Sequence, residues 1–136
     1  MMPAQTARSH EQQIESEAIR QSTLDYLEGW YEGDAERMQR CLHPSLVKRA
    51  VKQGDPSGKE YLNYLTKEMM VLNTEAGYGK HVPVEQRVYR IVILDISGNI
   101  ASVRAESPDW IDYLHLAKLN GKWLIANALY TTNPNP

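Results

Sequence analysis

The segment DYLHLAKLNGKWLIANALYTT consists of two runs that favour β-strands, and within these runs stand Asp112, His115, Lys118 and Asn127. A carboxylate or an imidazole can move protons, and a lysine or an amide can orient a bound oxygen. A plain structural hairpin needs none of them. Which of the four side chains can act together depends on the face of the sheet that each one occupies.

Strand parity assigns these residues to faces. If Asn120-Gly121 is a two-residue turn, Asp112 and Asn127 lie on one mainly apolar face and His115 lies on the other. Lys118 is expected near the rim of the pocket face. The pattern of apolar walls with a few convergent polar groups is typical of a ligand-binding cavity.

The preceding hairpin adds a third polar residue to that face. A turn at Gly98-Asn99, followed by a two-residue link at Pro108-Asp109, places Arg90 on the side of Asp112, with Ala105 opposite Asp112. Asp112 is then either a general base in an apolar cavity or the structural ion-pair partner of Arg90. A bulge near Pro108-Asp109 would invert the relation between the two hairpins.

The opposite face carries charged residues together with several tyrosines. Because tyrosine and arginine are enriched at protein interfaces, this face predicts a homodimer. The expected interface residues are Tyr89, Arg104, Tyr113, His115 and Tyr130.

The sequence patterns before the predicted strands indicate helices. Ser9 and Gln12 form a possible capping box for a helix that runs to about Glu32, with one apolar face. That face is made of Ile19, Thr23, Tyr26, Leu27 and Trp30. Gly33 then ends the helix and Asp34 caps a second short one, after which SLVKRAVK is compatible with a strand.

A second capping-box pattern, Ser57 and Glu60, predicts a helix over EYLNYLTKEMMVLN. Several residues of the two long helices can form a cavity wall for a flat aromatic ligand or simply pack as core. They are Tyr26, Trp30, Tyr61, Tyr64 and Met69. His43, before Pro44, either reaches the cavity mouth as a catalytic group or binds a backbone carbonyl.

Helices first and antiparallel strands last predict an α+β fold, a curved and mostly antiparallel sheet wrapped around N-terminal helices as a cone-like barrel. We expect strands over about 86–97, 100–107, 110–119 and 122–131. Residues 1–10 are expected to be a mobile leader, residues 11–132 a single domain and residues 133–136 a tail.

Composition narrows the function classes. A formal charge of −2 gives no basic field for nucleic acid or an anionic membrane, and no apolar run is long enough to span a bilayer. Cys41, the only cysteine, reads as a buried small residue in a cytoplasmic protein. No metal-ligand or cofactor motif is present in the sequence, so we expect neither a metal nor a cofactor.

The strings WIDYLHLAKLNGKWLIANALYTT, IASVRAES and LHPSLVKRA resemble the putative lumazine-binding group of the nuclear-transport-factor-two-like superfamily. The resemblance covers about residues 14–132 and is most specific at Asp112-Tyr113 and Gly121-Lys122-Trp123. It implies a cone whose helices pack in the concavity of a curved sheet, with a pocket at one end. It also implies a lysine after the last Asn of the hairpin, where this chain has Ala128.

The superfamily includes ketosteroid isomerase, scytalone dehydratase and polyketide cyclases as well as proteins without known activity, so three functions stay open. The first is a protein that binds a small hydrophobic or aromatic molecule through Arg90, Asp112 and Asn127. The second is a cofactor-independent isomerase, dehydratase or cyclase in which Asp112 or His43 moves a proton. The third is a partner-binding module whose cavity is filled by its own side chains.

Overall fold

A long helix, α1 (Ala4–Glu32), opens the computed structural model, which describes residues 4–135 and side chains from residue 9 onward. Helix α1 begins before the predicted cap Ser9, so residues 4–10 of the predicted leader are helical. Its predicted apolar face is confirmed: Ile19, Thr23, Tyr26 and Leu27 are buried and Trp30 is half-buried.

Gly33 ends this helix in the left-handed region, with a φ of 70°. The Asp34 side chain accepts a hydrogen bond from the backbone N–H of Arg37 and caps α2 (Ala35–Cys41), as the sequence predicts. Helix α2 leads directly into β1 (Leu42–Arg49), which begins before the predicted strand. Cys41 is buried, and burial raises the pKa of its thiol to about 12.

The predicted helix over residues 60–73 is wrong in its first half. Residues before it form β2 (Val51–Gln53), which pairs with β3 (Glu60–Leu62), and β4 (Leu65–Thr66) pairs with β1. Helix α3 (Lys67–Glu75) starts only afterwards, where the Thr66 side chain accepts from the N–H of Met69. Strand pairing therefore overrides the local capping signal at Ser57.

Six strands form one sheet in the order β4-β1-β8-β7-β6-β5, with β5 (Arg90–Ser97), β6 (Ile100–Glu106), β7 (Trp110–Leu119) and β8 (Lys122–Thr132). All neighbours are antiparallel except β1 and β8, which are parallel. The α+β class and the curved sheet are confirmed. Within residues 4–135 the edge strands β4 and β5 do not pair with each other, so the sheet is not a closed barrel.

The link at Pro108-Asp109 keeps the predicted register, since Ala105 pairs with Asp112 and the N–H of Ser107 donates to the carbonyl of Trp110. The register breaks elsewhere. In β5, Leu94 is an extra residue between Ile93, opposite Val103, and Asp95, opposite Ser102. This bulge turns Ile91 and Tyr89 toward the helices and Arg90 toward the outside.

A second bulge interrupts β8. Ile125 pairs with Leu116 and Asn127 with His115, which leaves Ala126 as the extra residue. Beyond it, Ala128 and Tyr130 take the inner positions opposite Leu114 and Asp112. Asn127 is exposed on the outer face as a result.

The core lies between α1 and the concave side of this sheet. Inner residues of β6, β7 and β8 pack against α1 and α2 and are almost fully buried: Val103, Ala105, Leu114, Leu116, Trp123 and Ile125. Within α1, Glu15 accepts hydrogen bonds from Lys118 and from the indole N–H of Trp123. The two ends of the β7–β8 hairpin therefore differ, one tied to α1 by Glu15 and the other bordering a cavity.

Candidate functional site

A cavity of about 70 Å³ lies between α1, α3 and the concave face of β7 and β8. Its wall is mainly aromatic and aliphatic with a few polar groups: Tyr26, Leu27, Trp30, Tyr31, Lys48, Leu65, Met70, Asn73, Ser107, Trp110, Asp112 and Tyr130. A water needs about 10–15 Å³ of such a cavity. There is room for several waters or a small organic molecule, less than the roughly 300–1,000 Å³ of sites for drug-sized ligands.

Lys48, Tyr26 and Asp112 form a buried polar cluster on this wall. The Tyr26 hydroxyl donates to Asp112 Oδ1 at 2.9 Å, and Lys48 Nζ donates to the Tyr26 oxygen. Lys48 Nζ also lies 3.6 Å from Asp112 Oδ1. Lys48 is 7% exposed and Asp112 2% exposed, so both charges are held out of water and neutralise each other.

Helix α1, β1 and β7 each supply one member of this cluster. Lys48 has the parity of Leu46 and Ala50, both buried, which directs its side chain inward from β1. Its ammonium lies 4.5 Å from the ring centre of Tyr130 and 5.0 Å from that of Tyr26. These cation–π contacts place the ammonium against the faces of two aromatic rings, where the attraction is stronger than in water.

Burial raises the pKa of Tyr26 well above its ordinary value, and the adjacent Asp112 carboxylate raises it further. The phenol therefore stays protonated and acts as a donor to Asp112. Both contacts to the carboxylate fall on Oδ1, and among the described residues none donates to Oδ2. Asp112 thus keeps an acceptor atom for a molecule in the cavity.

A second polar group borders the same cavity. Tyr31 donates to Ser107 Oγ and Asp109 Oδ2, each at 3.1 Å, while the backbone N–H of Asp109 donates to the Tyr31 hydroxyl. Burial raises the pKa of Tyr31. His81 Nε2 lies 3.4 Å from Asp109 Oδ2 at the surface. The hydroxyls of Tyr31 and Ser107 are therefore committed to each other and to the β6–β7 turn.

Trp30 closes another part of the wall. A Cβ added to Gly79 would approach the indole Nε1 to 2.7 Å, so only glycine allows the loop after α3 to pack this closely. Nε1 is buried and has no hydrogen-bond partner among the described residues. Packing of the loop, rather than hydrogen bonding, holds this indole.

The structure brings together three of the residues predicted to line the pocket: Tyr26, Trp30 and Asp112. The predicted ion pair is corrected, because Lys48 and not Arg90 is the partner of Asp112. Arg90 is exposed on the outer face opposite Glu106, as the Leu94 bulge requires. Asn127 is likewise outside the cavity, because the Ala126 bulge turns it outward.

His43 also lies away from the cavity wall. Its Nδ1 accepts from the N–H of Ser45 at 3.0 Å, a local contact at the start of β1. The contact is local, but its partner is a backbone N–H and not the backbone carbonyl that the local alternative predicted. Lys118 contacts Glu15 at the opposite end of the hairpin from the cavity.

Tyr61, Tyr64 and Met69 are exposed and do not line the cavity. The reason is the missing first half of the predicted helix: Tyr61 lies in β3, and Met69 Sδ accepts from the N–H of Thr66 at the start of α3. Met70, the next residue, faces the cavity instead.

The residues predicted for the dimer interface divide between the two faces. Arg104, Tyr113 and His115 lie on the outer face as expected. Tyr89 and Tyr130 do not: Tyr89 packs against the core beside Tyr31, and Tyr130 lines the cavity. Both inversions follow from the two bulges.

Lys48 is the main cavity residue that the sequence interpretation missed. The feature of the sequence that could have predicted it is the position of a charged residue in SLVKRAVK with the same strand parity as the apolar residues Leu46 and Ala50. Tyr130 was not predicted at the cavity because its face depends on the β8 bulge. Trp110 was not predicted there because it is the first residue of β7, where strand parity is a weak guide. Their rings lie 5.4 Å apart at 84°, an edge-to-face contact.

Over the described part of the chain, no group of three or more His, Cys, Asp or Glu side chains is arranged to hold a metal ion. No helix among the described residues is both long enough and apolar enough to cross a membrane.

A family model described as putative lumazine-binding matches residues 14–131. No curated protein matches the sequence significantly. Among solved structures, an NTF-2 like protein of unknown function from Silicibacter pomeroyi is similar, with 16% identity and a TM-score of 0.73 over 90% of this chain and 98% of that one.

Two more solved structures share the fold. An NTF2-like protein of unknown function from Shewanella baltica has 23% identity and a TM-score of 0.66, covering 89% of this chain and 95% of its own. A ketosteroid isomerase-like protein from Erwinia carotovora atroseptica has 14% identity and a TM-score of 0.57, covering 88% and 95%. At these identities the likeness concerns the fold.

Proposed function

This chain belongs to the putative lumazine-binding family, and on that premise we propose that it binds a small hydrophobic or aromatic molecule in the cavity beside Lys48, Tyr26 and Asp112. The observation that carries the proposal is the buried polar cluster on a mainly apolar wall. A buried ion pair seldom adds stability over well-packed apolar side chains. Its place on a cavity wall fits ligand orientation better than it fits a purely structural role.

The cavity volume limits the ligand in this conformation. About 70 Å³ accepts a single-ring compound more readily than a fused-ring one. A larger molecule would require displacement of α3, which supplies Met70 and Asn73 to the wall. We therefore expect the tightest small ligands to be compact and planar, stacking on Trp30, Trp110 or Tyr130.

The alternative is a cofactor-independent isomerase, dehydratase or cyclase acting on a hydrophobic carbonyl compound. The free Oδ2 of Asp112 beside a cavity favours it, because a carboxylate in that place can take a proton from a substrate. Lys48 weighs against it, because its ammonium lies 3.6 Å from Asp112 Oδ1 and already serves as the ion-pair partner of that carboxylate. A filled, purely structural cone is the least favoured reading because open volume remains inside.

We also propose that two copies associate through the outer face of the sheet. Support comes from the exposed apolar residues Leu94, Ile100, Tyr113 and Leu129, which lie on β5 to β8. Isolated exposed apolar residues are ordinary, but several on one sheet face are typical of an association surface.

Two variants that introduce the same side chain test where a ligand binds. Asn73→Phe fills the cavity from α3, whereas Asn127→Phe adds the same ring at an exposed position of β8. In saturation-transfer NMR with a panel of single-ring aromatic fragments, we expect binding signals for the wild type and for Asn127→Phe. For Asn73→Phe we expect affinity at least tenfold weaker, because the volume is occupied.

Equal binding to Asn73→Phe and the wild type would move the ligand site away from this cavity. A panel without any fragment that binds the wild type would remove the binding proposal itself. Circular dichroism of both variants checks that each has the fold of the wild type.

A further inference from the structure

The charges on the cavity wall set a condition on the ligand. Among the residues that the structure describes, Lys48 and Asp112 are the only two on the wall with a formal charge, and they compensate each other at 3.6 Å. A carboxylate or ammonium entering this space would be buried with one charge in surplus, which costs far more than burying a neutral group. The charge balance favours a ligand without net charge.

The hydrogen-bonding capacity left over sets a second condition. Asp112 Oδ2 offers an acceptor that no described residue uses, and Lys48 has three N–H donors, one of which goes to the Tyr26 oxygen. The Tyr26 proton is already committed to Asp112. A matching ligand presents a donor to Asp112 and, next to it, an acceptor to Lys48.

The rest of the wall sets a third condition, which is shape. Trp30, Trp110 and Tyr130 provide aromatic surface, and the volume of about 70 Å³ suits one ring. A cyclic amide meets all three conditions, since it is planar and neutral and carries N–H and C=O side by side on one edge. Resting on the proposed binding function, we propose that the Lys48–Asp112 edge of this cavity recognises a neutral, single-ring cyclic amide.

Matched ring compounds test the class on the wild-type protein. 2-Pyridone has the complete edge, 6-methyl-2-pyridone adds a methyl group but keeps the N–H, and N-methyl-2-pyridone carries the methyl group in place of the N–H. We expect N-methyl-2-pyridone to bind at least tenfold more weakly than 6-methyl-2-pyridone in competition NMR, because Asp112 then lacks a donor. Benzoate, an anion of similar size, should bind at least tenfold more weakly than 2-pyridone.

A variant that changes the charge balance tests the reason for this preference. Asp112→Asn leaves Lys48 uncompensated at nearly constant shape, so we expect benzoate to gain at least tenfold in affinity while 2-pyridone does not. Asp95→Asn makes the same change at an exposed position of β5 and should leave both affinities unchanged. If Asp112→Asn does not fold, the comparison among the pyridones on the wild type decides the proposal alone.

The outcomes separate this inference from the function on which it rests. Equal binding of N-methyl-2-pyridone and 6-methyl-2-pyridone, or benzoate binding the wild type as tightly as 2-pyridone, overturns the cyclic-amide class. A third outcome is that the pyridones do not bind, while other fragments bind the wild type and lose binding in Asn73→Phe. This result also overturns the cyclic-amide class, but it is consistent with the proposed binding function. Absence of any binding sensitive to Asn73→Phe removes both.

Discussion

Asp25 joins the first two helices through a pair of arginines. Its carboxylate accepts from Arg37 Nε at 3.0 Å and from Arg40 Nε and Nη2 at 2.9 Å, while Asp25 itself is buried on α1. Burial raises the pKa of this carboxyl, but hydrogen bonds from Arg40 and Arg37 outweigh that effect, and the net pKa is lowered. The charged form is therefore the one that stabilises the fold.

The sign of this shift predicts acid lability. A carboxyl whose pKa is lower in the folded state contributes fully above its unfolded pKa, ordinarily 3.8, and loses the contribution as pH falls through the folded value. We expect Asp25→Asn to lower the free energy of unfolding by roughly 1–3 kcal/mol at pH 7. The difference from the wild type should shrink toward pH 3.

Urea unfolding of both proteins at pH 7 and pH 3 measures this difference, with Asp95→Asn as the control at an exposed carboxylate. A stability difference that stays constant between the two pH values would show that Asp25 acts through packing and not through its charge.

Single residues differ in how far the sequence identifies them. Tyr26, Trp30 and Asp112 could be placed in one cavity because helical spacing and strand parity each direct a side chain inward. Lys48 could not be placed with the same patterns, because a lysine at an inward strand position is buried only beside a charged partner on another strand. Such a partner is remote in sequence, so local patterns do not reveal it.

At the scale of elements, the turns of both hairpins follow from Asn and Gly pairs, whereas the bulges do not. Neither Leu94 nor Ala126 is a residue type that marks a bulge. The bulges form because a regular strand ladder would direct the side chains of Arg90 and Asn127 into the core, where burying them costs free energy. Each bulge exchanges that polar side chain for an apolar or aromatic one, Tyr89 or Ala128.

Two single-residue deletions in β8 test this account. Deleting Ala126 removes the extra residue and still allows Ile125 to pair with Leu116, Asn127 with His115 and Ala128 with Leu114. Deleting Ala128 forces either Asn127 into the core or Tyr130 out of the cavity wall. We expect the second deletion to be less stable than the first by about 1–3 kcal/mol, the cost of burying an unpaired polar group.

Chemical denaturation measures the free energy of unfolding of the two deletion proteins. The two are matched, because each lacks one alanine of the same strand. Equal stabilities would show that the bulge is not set by the burial preferences of Asn127 and Ala128.

The segment from Val51 to Thr66 shows why one element was mispredicted. Ser57 and Glu60 have capping-box spacing, but the pairing of β2 with β3 and of β1 with β4 satisfies the backbone instead. The helix starts at a different cap, Thr66. Local signals of similar strength compete here, and tertiary pairing decides between them.

At the scale of the molecule, the order of elements was sufficient for the α+β class and for helices packed on one side of the sheet. It was not sufficient for the openness of the sheet, which depends on where the short strand β4 pairs. Because α1 and the cavity occupy the concave side, the convex side, which is the outer face of the sheet, is the more exposed one.

That convex side carries a cross-strand row in which Val92 pairs with Arg104, Arg104 with Tyr113 and Tyr113 with Leu129. Tyr113 is central in this row and 54% exposed. A large aromatic side chain at the centre of a patch is the type that dominates binding energy at interfaces. We expect a dimer in sedimentation equilibrium at high micromolar concentration, with Tyr113→Arg raising the dissociation constant at least tenfold.

Tyr61→Arg is the matched control, because Tyr61 is 53% exposed on β3, away from the six-stranded sheet, and should leave the dissociation constant unchanged. A monomeric wild type would contradict the proposed interface. Equal effects of the two substitutions would show that the added charge, and not the loss of a central contact, weakens association. If only Tyr113→Arg dissociates the dimer, the convex row contributes to assembly. Assembly then leaves the cavity behind β7 unobstructed, because Tyr113 and Asp112 point to opposite faces of one strand.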